Sequence, residues 1–382
     1  MKILLKVGSN ILTTAGSGAC VTGSGASATS IGLNKRRIAS LAKDISAVLQ
    51  HKHEVLLVSS GAVAAGMQKM GIEKYPRDIR IKQAMAAVGQ SSLMWAYEKY
   101  FGNHGVKVAQ VLLTRDDFKD RTRYINAKNT LTTLLDLGFI PVVNENDPIS
   151  VDEIKFGDND HLAALVAGML GVDMMIILSD VDGLFDKDPG RYSKARMIDT
   201  VEEITDELLG LADSSGSHVG TGGMYSKLIA ARMSTAHGIP VHIINGKKSG
   251  LVPELVNGKK RGTFFLPSSK GRLSSRKGWI AYGIRCKGAI HLDEGAVQAL
   301  LKRGKSLLPS GILKTRGSFN EGDAVECLAP DGRRVAKGLA NYSAEDIKKI
   351  QGKKTSQIES ILGYKYSDEV IHRDNLVVTV EK

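Results

Sequence analysis

Apolar runs that end in small polar residues recur through the first two thirds of the chain, and few folds accommodate them. Lys2–Val7 ends in Gly8-Ser9-Asn10, and Glu54–Val58 ends in Ser59-Ser60-Gly61. Phe139–Val143 runs into Asn144-Glu145-Asn146-Asp147, Met174–Leu178 into Ser179-Asp180, and Val241–Ile244 into Asn245-Gly246. Val106–Leu113 is a further apolar run. Helix-spaced stretches lie between most of them, as at Ile38, Leu41, Ala42, Ile45, Val48 and Leu49. Continuous apolar strands separated by helices predict an α/β domain, a largely parallel sheet covered on both faces. In such sheets the carboxyl ends of the strands line the ligand crevice. A single polar end is ordinarily a turn or a helix cap. Five on one edge predict a site.

At 382 residues the chain is too long for one ordinary core, which predicts two domains. Charge divides it similarly. Residues 1–258 carry 28 Lys+Arg against 27 Asp+Glu, and residues 259–382 carry 24 against 13, so +11 of the net +12 sits in the C-terminal third. That asymmetry predicts two units with different partners, a polyanion such as RNA being the lesser reading of the basic one. The polar stretch Ser268–Lys277 reads as part of a linker, placed at 268–286. Beyond it, short strands with Gly and Asp turns and one helix, Glu294–Arg303, predict a small, mainly β domain at 287–382. No apolar run reaches the roughly eighteen residues that span a bilayer, and no signal-peptide pattern opens the chain. Cys20, Cys286 and Cys327 match no metal or redox spacing, and a reducing cytoplasm is expected.

Two polar constellations carry the chemistry. Asn144-Glu145-Asn146-Asp147 and Gly157-Asp158-Asn159-Asp160 put amides and carboxylates within seventeen positions, the second run just ahead of a helix expected over His161–Leu170. Capping explains one of them but not the set. Thr221-Gly222-Gly223-Met224-Tyr225-Ser226-Lys227 is a glycine-rich turn whose lysine is expected to open an amphipathic helix, an arrangement that cradles phosphate oxygens. Lys6, one residue before Val7-Gly8, can reach the same crevice. No cage spacing for a metal appears, so magnesium is expected to arrive with ATP. Residues 15–32 are Gly/Ser-rich but lack a Walker lysine, and read as an insertion rather than a phosphate loop.

With these residues the sequence resembles the glutamate 5-kinases of the amino acid kinase family. The matching pieces are LLKVGSN at the start, VSSGAVAAG at 58–66, AVGQ at 87–90, LLTRDD at 112–117, NENDPIS at 144–150, GDND at 157–160, ILSDVDGL at 177–184 and GTGGMYSK at 220–227. From residue 288, GAIHLDEGAVQALLKRGKSLLPSGI resembles a PUA domain. The resemblance implies a three-layer αβα sandwich over residues 1–267, the amino acid kinase fold. It also implies ATP-dependent phosphorylation of the L-glutamate side-chain carboxylate, the first step of proline biosynthesis. Lys6 and Thr221–Lys227 then serve ATP phosphates, Ser179 and Asp180 lie at the nucleotide, and Ser60, Asp147 and Asn159 hold glutamate. Asp160 orders Lys6 and Lys227. Mg-ATP, feedback inhibition by proline and a homo-oligomer (dimer or tetramer) are implied as well. The alternatives are another amino acid kinase, such as an acetylglutamate or aspartate kinase, and a kinase that adds RNA binding through its basic tail.

Overall fold

The computed structural model describes residues 1–14, 31–76, 78–149, 159–192, 194–214, 223–268, 275–284 and 286–378. Most of the expected insertion, Gly157, Asp158, Thr221 and Gly222 lie outside these residues. The chain divides into two compact units, Met1–Arg272 and Leu273–Lys382.

The first unit is built on eight strands: β1 (Lys2–Val7), β2 (Glu54–Ser59), β3 (Lys107–Leu113), β4 (Phe139–Glu145), β5 (Met174–Ser179), β6 (Thr200–Val201), β7 (Val241–Asn245) and β8 (Thr263–Phe265). They form one sheet in the order β3-β4-β2-β1-β5-β7-β8-β6. Only the β7–β8 pair is antiparallel. The five strands with polar ends are β4, β2, β1, β5 and β7, consecutive neighbours and mutually parallel. Their polar ends therefore share one edge. The chain builds one side of β1 with β2, β3 and β4, then crosses to the other side at β5, so the order reverses beside β1. Such a reversal is where ligands enter open parallel sheets.

The strands run slightly farther than their apolar residues, because the first polar residues still pair through the backbone. Ser59 is in register with Val7, Asn245 with Ser179 and Glu145 with Leu113. The principal helices are α1 (Lys35–Leu49), α2 (Ala62–Met70), α3 (Ile79–Gly102), α4 (Arg121–Asp136), α5 (Asn159–Leu170) and α6 (Met224–Ala236). Two of them begin earlier than the sequence suggested: α5 takes Asn159 and Asp160 into its first turn, and α6 opens at Met224 rather than Lys227.

Strand alternation sorts β1 between two faces. Ile3, Leu5 and Val7 join a core with Leu41, Ile45, Leu93 and Tyr97. Leu4 and Lys6 face the opposite side, where α5 and α6 pack together. Helices α2 and α3 meet through glycines. A Cβ on Gly89 would stand 1.9 Å from the Ala62 carbonyl oxygen, and one on Gly66 2.0 Å from that of Met85. The VSSGAVAAG and AVGQ segments thus meet backbone to backbone, which seats α3 close behind the end of β2. The bases of the 15–32 segment are also fixed: Thr13-Thr14 pairs with Gly32-Leu33, and the Leu33 amide donates to Gln68 Oε1 at 3.1 Å.

The second unit has its own core. Its sheet comprises β9 (Gly288–Leu292), β10 (Ile312–Gly317), β11 (Ala324–Leu328), β12 (Arg334–Leu339) and β13 (Leu376–Val378), in the order β10-β9-β11-β12-β13. Helix α7 (Glu294–Arg303) is capped by Asp293, whose carboxylate accepts from the Ala296 amide at 2.7 Å. The end of the expected linker is folded with this unit. A helical turn at Ser275–Gly278 runs into a π-helical turn at Trp279–Gly283, with Trp279 and Ile280 buried. Lys337 Nζ donates to the carbonyls of Ala281 and Ile284, taking up acceptors that the end of a helix leaves open. No helix among the described residues is long and apolar enough to cross a membrane.

Candidate active site

The alternation that buries Leu4 also buries Lys6, whose side chain is 0% exposed. An ammonium withdrawn from water is costly unless an opposite charge meets it. Asp160, in the first turn of α5 and equally buried, does so: Lys6 Nζ lies 2.6 Å from Asp160 Oδ1. The second carboxylate oxygen turns toward α6. Lys227 Nζ stands 3.3 Å from Asp160 Oδ2, and Ser226 Oγ is 2.9 Å from the same atom and from the Gly223 carbonyl. One carboxylate therefore fixes two ammonium groups that are 221 residues apart in the sequence. The three side chains together carry a formal charge of +1, which suits an anion.

Beside this bridge are the residues that the sequence led us to expect on the nucleotide side. Ser179 is buried at the end of β5, and Asp180, exposed, accepts from Asn10 Nδ2 at 3.0 Å. Asp182 accepts from Asn245 Nδ2 at 3.0 Å and pairs with Lys248 at 2.6 Å. Gly223 and Met224 open α6, and Tyr225 is exposed. Thr221 and Gly222 fall outside the described residues. The described carboxylates here, Asp160, Asp180 and Asp182, are each committed to a lysine or an amide donor. No group of described residues forms a metal cage.

On the other side an amide network joins β2, β4, α3 and α5. Asn159 Nδ2 contacts the Ser59 carbonyl at 2.7 Å, Ser60 Oγ at 2.9 Å and Asn144 Oδ1 at 3.0 Å. Asn144 Nδ2 donates to Gln90 Oε1 at 2.9 Å, and Ser59 Oγ shares a 2.8 Å hydrogen bond with Tyr97 OH. Next to it opens a cavity of about 280 Å3 lined by Gln90, Ser91, Gln110, Glu145, Asp147 and apolar neighbours. Burial pushes the Asp147 carboxyl up to about 6, with the Glu145 carboxylate adding to the rise.

The structure thus brings Lys6, Asp160, Ser226 and Lys227 into one cluster, and Asn159 and Ser60 into another one residue away along α5. Asp147 stands apart, on the cavity wall. Gln90 and Tyr97 had no site role in the sequence reading, and Asn144 had only its place in the first polar constellation. Asn144 and Gln90 sit in the NEND and AVGQ segments, so a signal existed for them. Tyr97 had none.

The model of the amino acid kinase family matches residues 1–245, and the PUA domain model matches residues 288–362. A glutamate 5-kinase of Thermoanaerobacter sp. (strain X514) is 47% identical over 99% of this chain and 98% of its own. Those of Caldanaerobacter subterraneus subsp. tengcongensis and Geobacter sulfurreducens are 49% and 46% identical, each over 99% of this chain and 98% and 97% of their own. The chain belongs to the amino acid kinase family, among the glutamate 5-kinases. As an amino acid kinase with an attached PUA domain, it has the αβα sheet and the separate small β unit that its sequence led us to expect.

Proposed function

We propose that this chain transfers the γ-phosphoryl group of Mg-ATP to the side-chain carboxylate of L-glutamate, giving L-glutamyl 5-phosphate and ADP, the first step of proline biosynthesis. The observation that carries the reading is the buried Lys6–Asp160–Lys227 bridge beside the reversal of strand order. In the reaction a glutamate carboxylate oxygen attacks the γ-phosphorus, and the bond to the β,γ-bridging oxygen breaks as ADP leaves. The nucleophile is already anionic, so no general base is required. The barrier lies in bringing that anion to a polyanionic triphosphate and in moving charge onto the leaving oxygen. Lys6 and Lys227 neutralise that charge, while Asp160 fixes where their ammonium groups stand. Bound magnesium supplies further neutralisation on the phosphates.

The start of α6, Gly223–Lys227, with Thr221 and Gly222 ahead of it, serves the phosphates, and Ser179 and Asp180 lie at the nucleotide. Ser60, Asp147 and Asn159 hold glutamate. Asn159 contributes through what its inward-turned amide nitrogen leaves available. Residues 1–267, within the first unit, form the catalytic domain. Feedback inhibition by proline, a homo-oligomer and a cytoplasmic location extend the same proposal. Formation of γ-glutamyl hydroxamate from ATP and hydroxylamine tests it. L-glutamate should far exceed N-acetylglutamate and aspartate as substrate, and equal rates with either rival would defeat it.

A further inference from the structure

The amide network has a direction, and a backbone carbonyl sets it. The Ser59 carbonyl can only accept, so the nitrogen of Asn159, 2.7 Å away, must face it. That nitrogen also meets Asn144 at 3.0 Å, so Asn144 presents its oxygen there, where it accepts from the Glu145 amide at 2.9 Å as well. Asn144 Nδ2 then faces Gln90, which must answer with Oε1. The polarity of three side-chain amides is relayed from one carbonyl to Gln90, and it leaves Gln90 Nε2 at the far end. Gln90 is 9% exposed, it lines the 280 Å3 cavity, and its Nε2 is buried with no hydrogen-bond partner among the described residues. A buried amide donor left unmatched is costly, and native structures seldom keep one without a use.

The opposite polarity shares that cavity. Asp147 and Glu145 line it with acceptors. The unmatched donor of Gln90 and a pair of carboxylates, in a small cavity that Ser91 and Gln110 also line, match the two ends of an α-amino acid head group, carboxylate and ammonium. The reacting carboxylate must lie at the other side, against the Lys6–Asp160–Lys227 bridge. From there the network leads through Asn159 and Asn144 to Gln90.

Resting on the reading of this cavity as the glutamate site, we propose that Gln90 is a substrate-binding and specificity-determining residue whose Nε2 donates to the α-carboxylate of glutamate. Helix α3 has a supporting part in this. Tyr97, seven residues on and so two turns along the same face, fixes Ser59 at the start of the relay, while Gln90 stands at its end. The Gly66–Gly89 contact holds both in place.

The experiment compares L-glutamate with its α-amide, L-isoglutamine, as substrates of the full-length protein. Gln90→Glu keeps an oxygen for Asn144 and puts a second oxygen where the donor stood. The ratio of kcat/KM for glutamate over the α-amide should fall roughly 10–100-fold, the worth of a hydrogen bond to a charged group. The change should appear in the amino-acid KM and leave the KM for ATP in place. Gln90→Met, which removes the donor without adding charge, should lower the same ratio in the same direction, and it serves if the first variant does not fold. An equal loss for both substrates would mean that Gln90 only props Asn144, and would overturn the inference. Asp147→Asn separates the two levels. If it leaves the KM for glutamate unchanged, the cavity is not the glutamate site and the underlying reading fails. If it raises that KM while the Gln90 ratio stays at the wild-type value, only the present inference fails.

Discussion

Lys6 Nζ lies 2.6 Å from Asp160 Oδ1, with both side chains fully withdrawn from solvent between β1 and α5. A hydrophobic pair of similar volume would serve stability at least as well there. The ion pair makes sense as equipment for an anionic reaction.

Removing either lysine should show this. Lys227→Ala is expected to lower kcat by roughly 10²–10³-fold, the scale of losing one preorganised electrostatic contact, with little change in the KM for glutamate. Lys6→Ala should behave alike, with a raised KM for ATP. Steady-state kinetics within a few-fold of wild type for both variants would end the two-lysine mechanism.

Removing the carboxylate between them should cost fold as well as function. Asp160→Ala leaves two buried ammonium groups facing each other and is expected to destabilise the protein by about 3–5 kcal/mol. The triple replacement Lys6→Met, Asp160→Leu, Lys227→Met should recover most of that stability and no activity. Urea unfolding beside the hydroxamate assay reads both.

Burial pushes the Asp147 carboxyl up to about 6, above its ordinary value. Because the folded value is raised, burial favours the protonated form. The stabilising contribution is full below the ordinary carboxylate range and is lost as pH rises through about 6. An ammonium ligand needs the ionised form, so kcat/KM for glutamate should fall as pH drops below about 6. Asp147→Asn should abolish that limb and raise the glutamate KM at neutral pH, which a pH profile of kcat/KM would detect.

Gly89→Ala is expected to destabilise by at least about 1–3 kcal/mol, because its Cβ meets a backbone oxygen that cannot yield. Thermal unfolding measures this. Surviving protein should show a raised KM for glutamate, since α3 carries Gln90.

The two units have separate cores, so a chain ending at Ser268 should fold and retain glutamate phosphorylation. Circular dichroism and the hydroxamate assay test this together. A folded but inactive product would show that the C-terminal unit takes part in the chemistry.

Much of this was legible in the sequence, because local rules govern it. Period and length of the apolar runs determined the alternation of strands and helices, and continuous apolar character on strands such as KILLKV determined that both sheet faces are covered. Polar residues at five strand ends marked the binding edge, because parallel strands joined by helical crossovers bring those ends together. The resemblance supplied Lys6, Lys227 and Asp160 as a group. The helix starts were misjudged by two and three residues: the amide donors of a first turn have no intrahelical acceptors, and glycine and asparagine fit equally well in a loop. What tertiary structure alone decided is which polar atoms meet. That one carboxylate stands between two lysines, and that a backbone carbonyl orients three amides in series, depends on side-chain direction across four elements. Tyr97 carries no such information in its own neighbourhood of the chain, and Gln90 carries only its place in the AVGQ segment. Their positions follow from how closely two glycines let α3 approach α2, which is a property of packing.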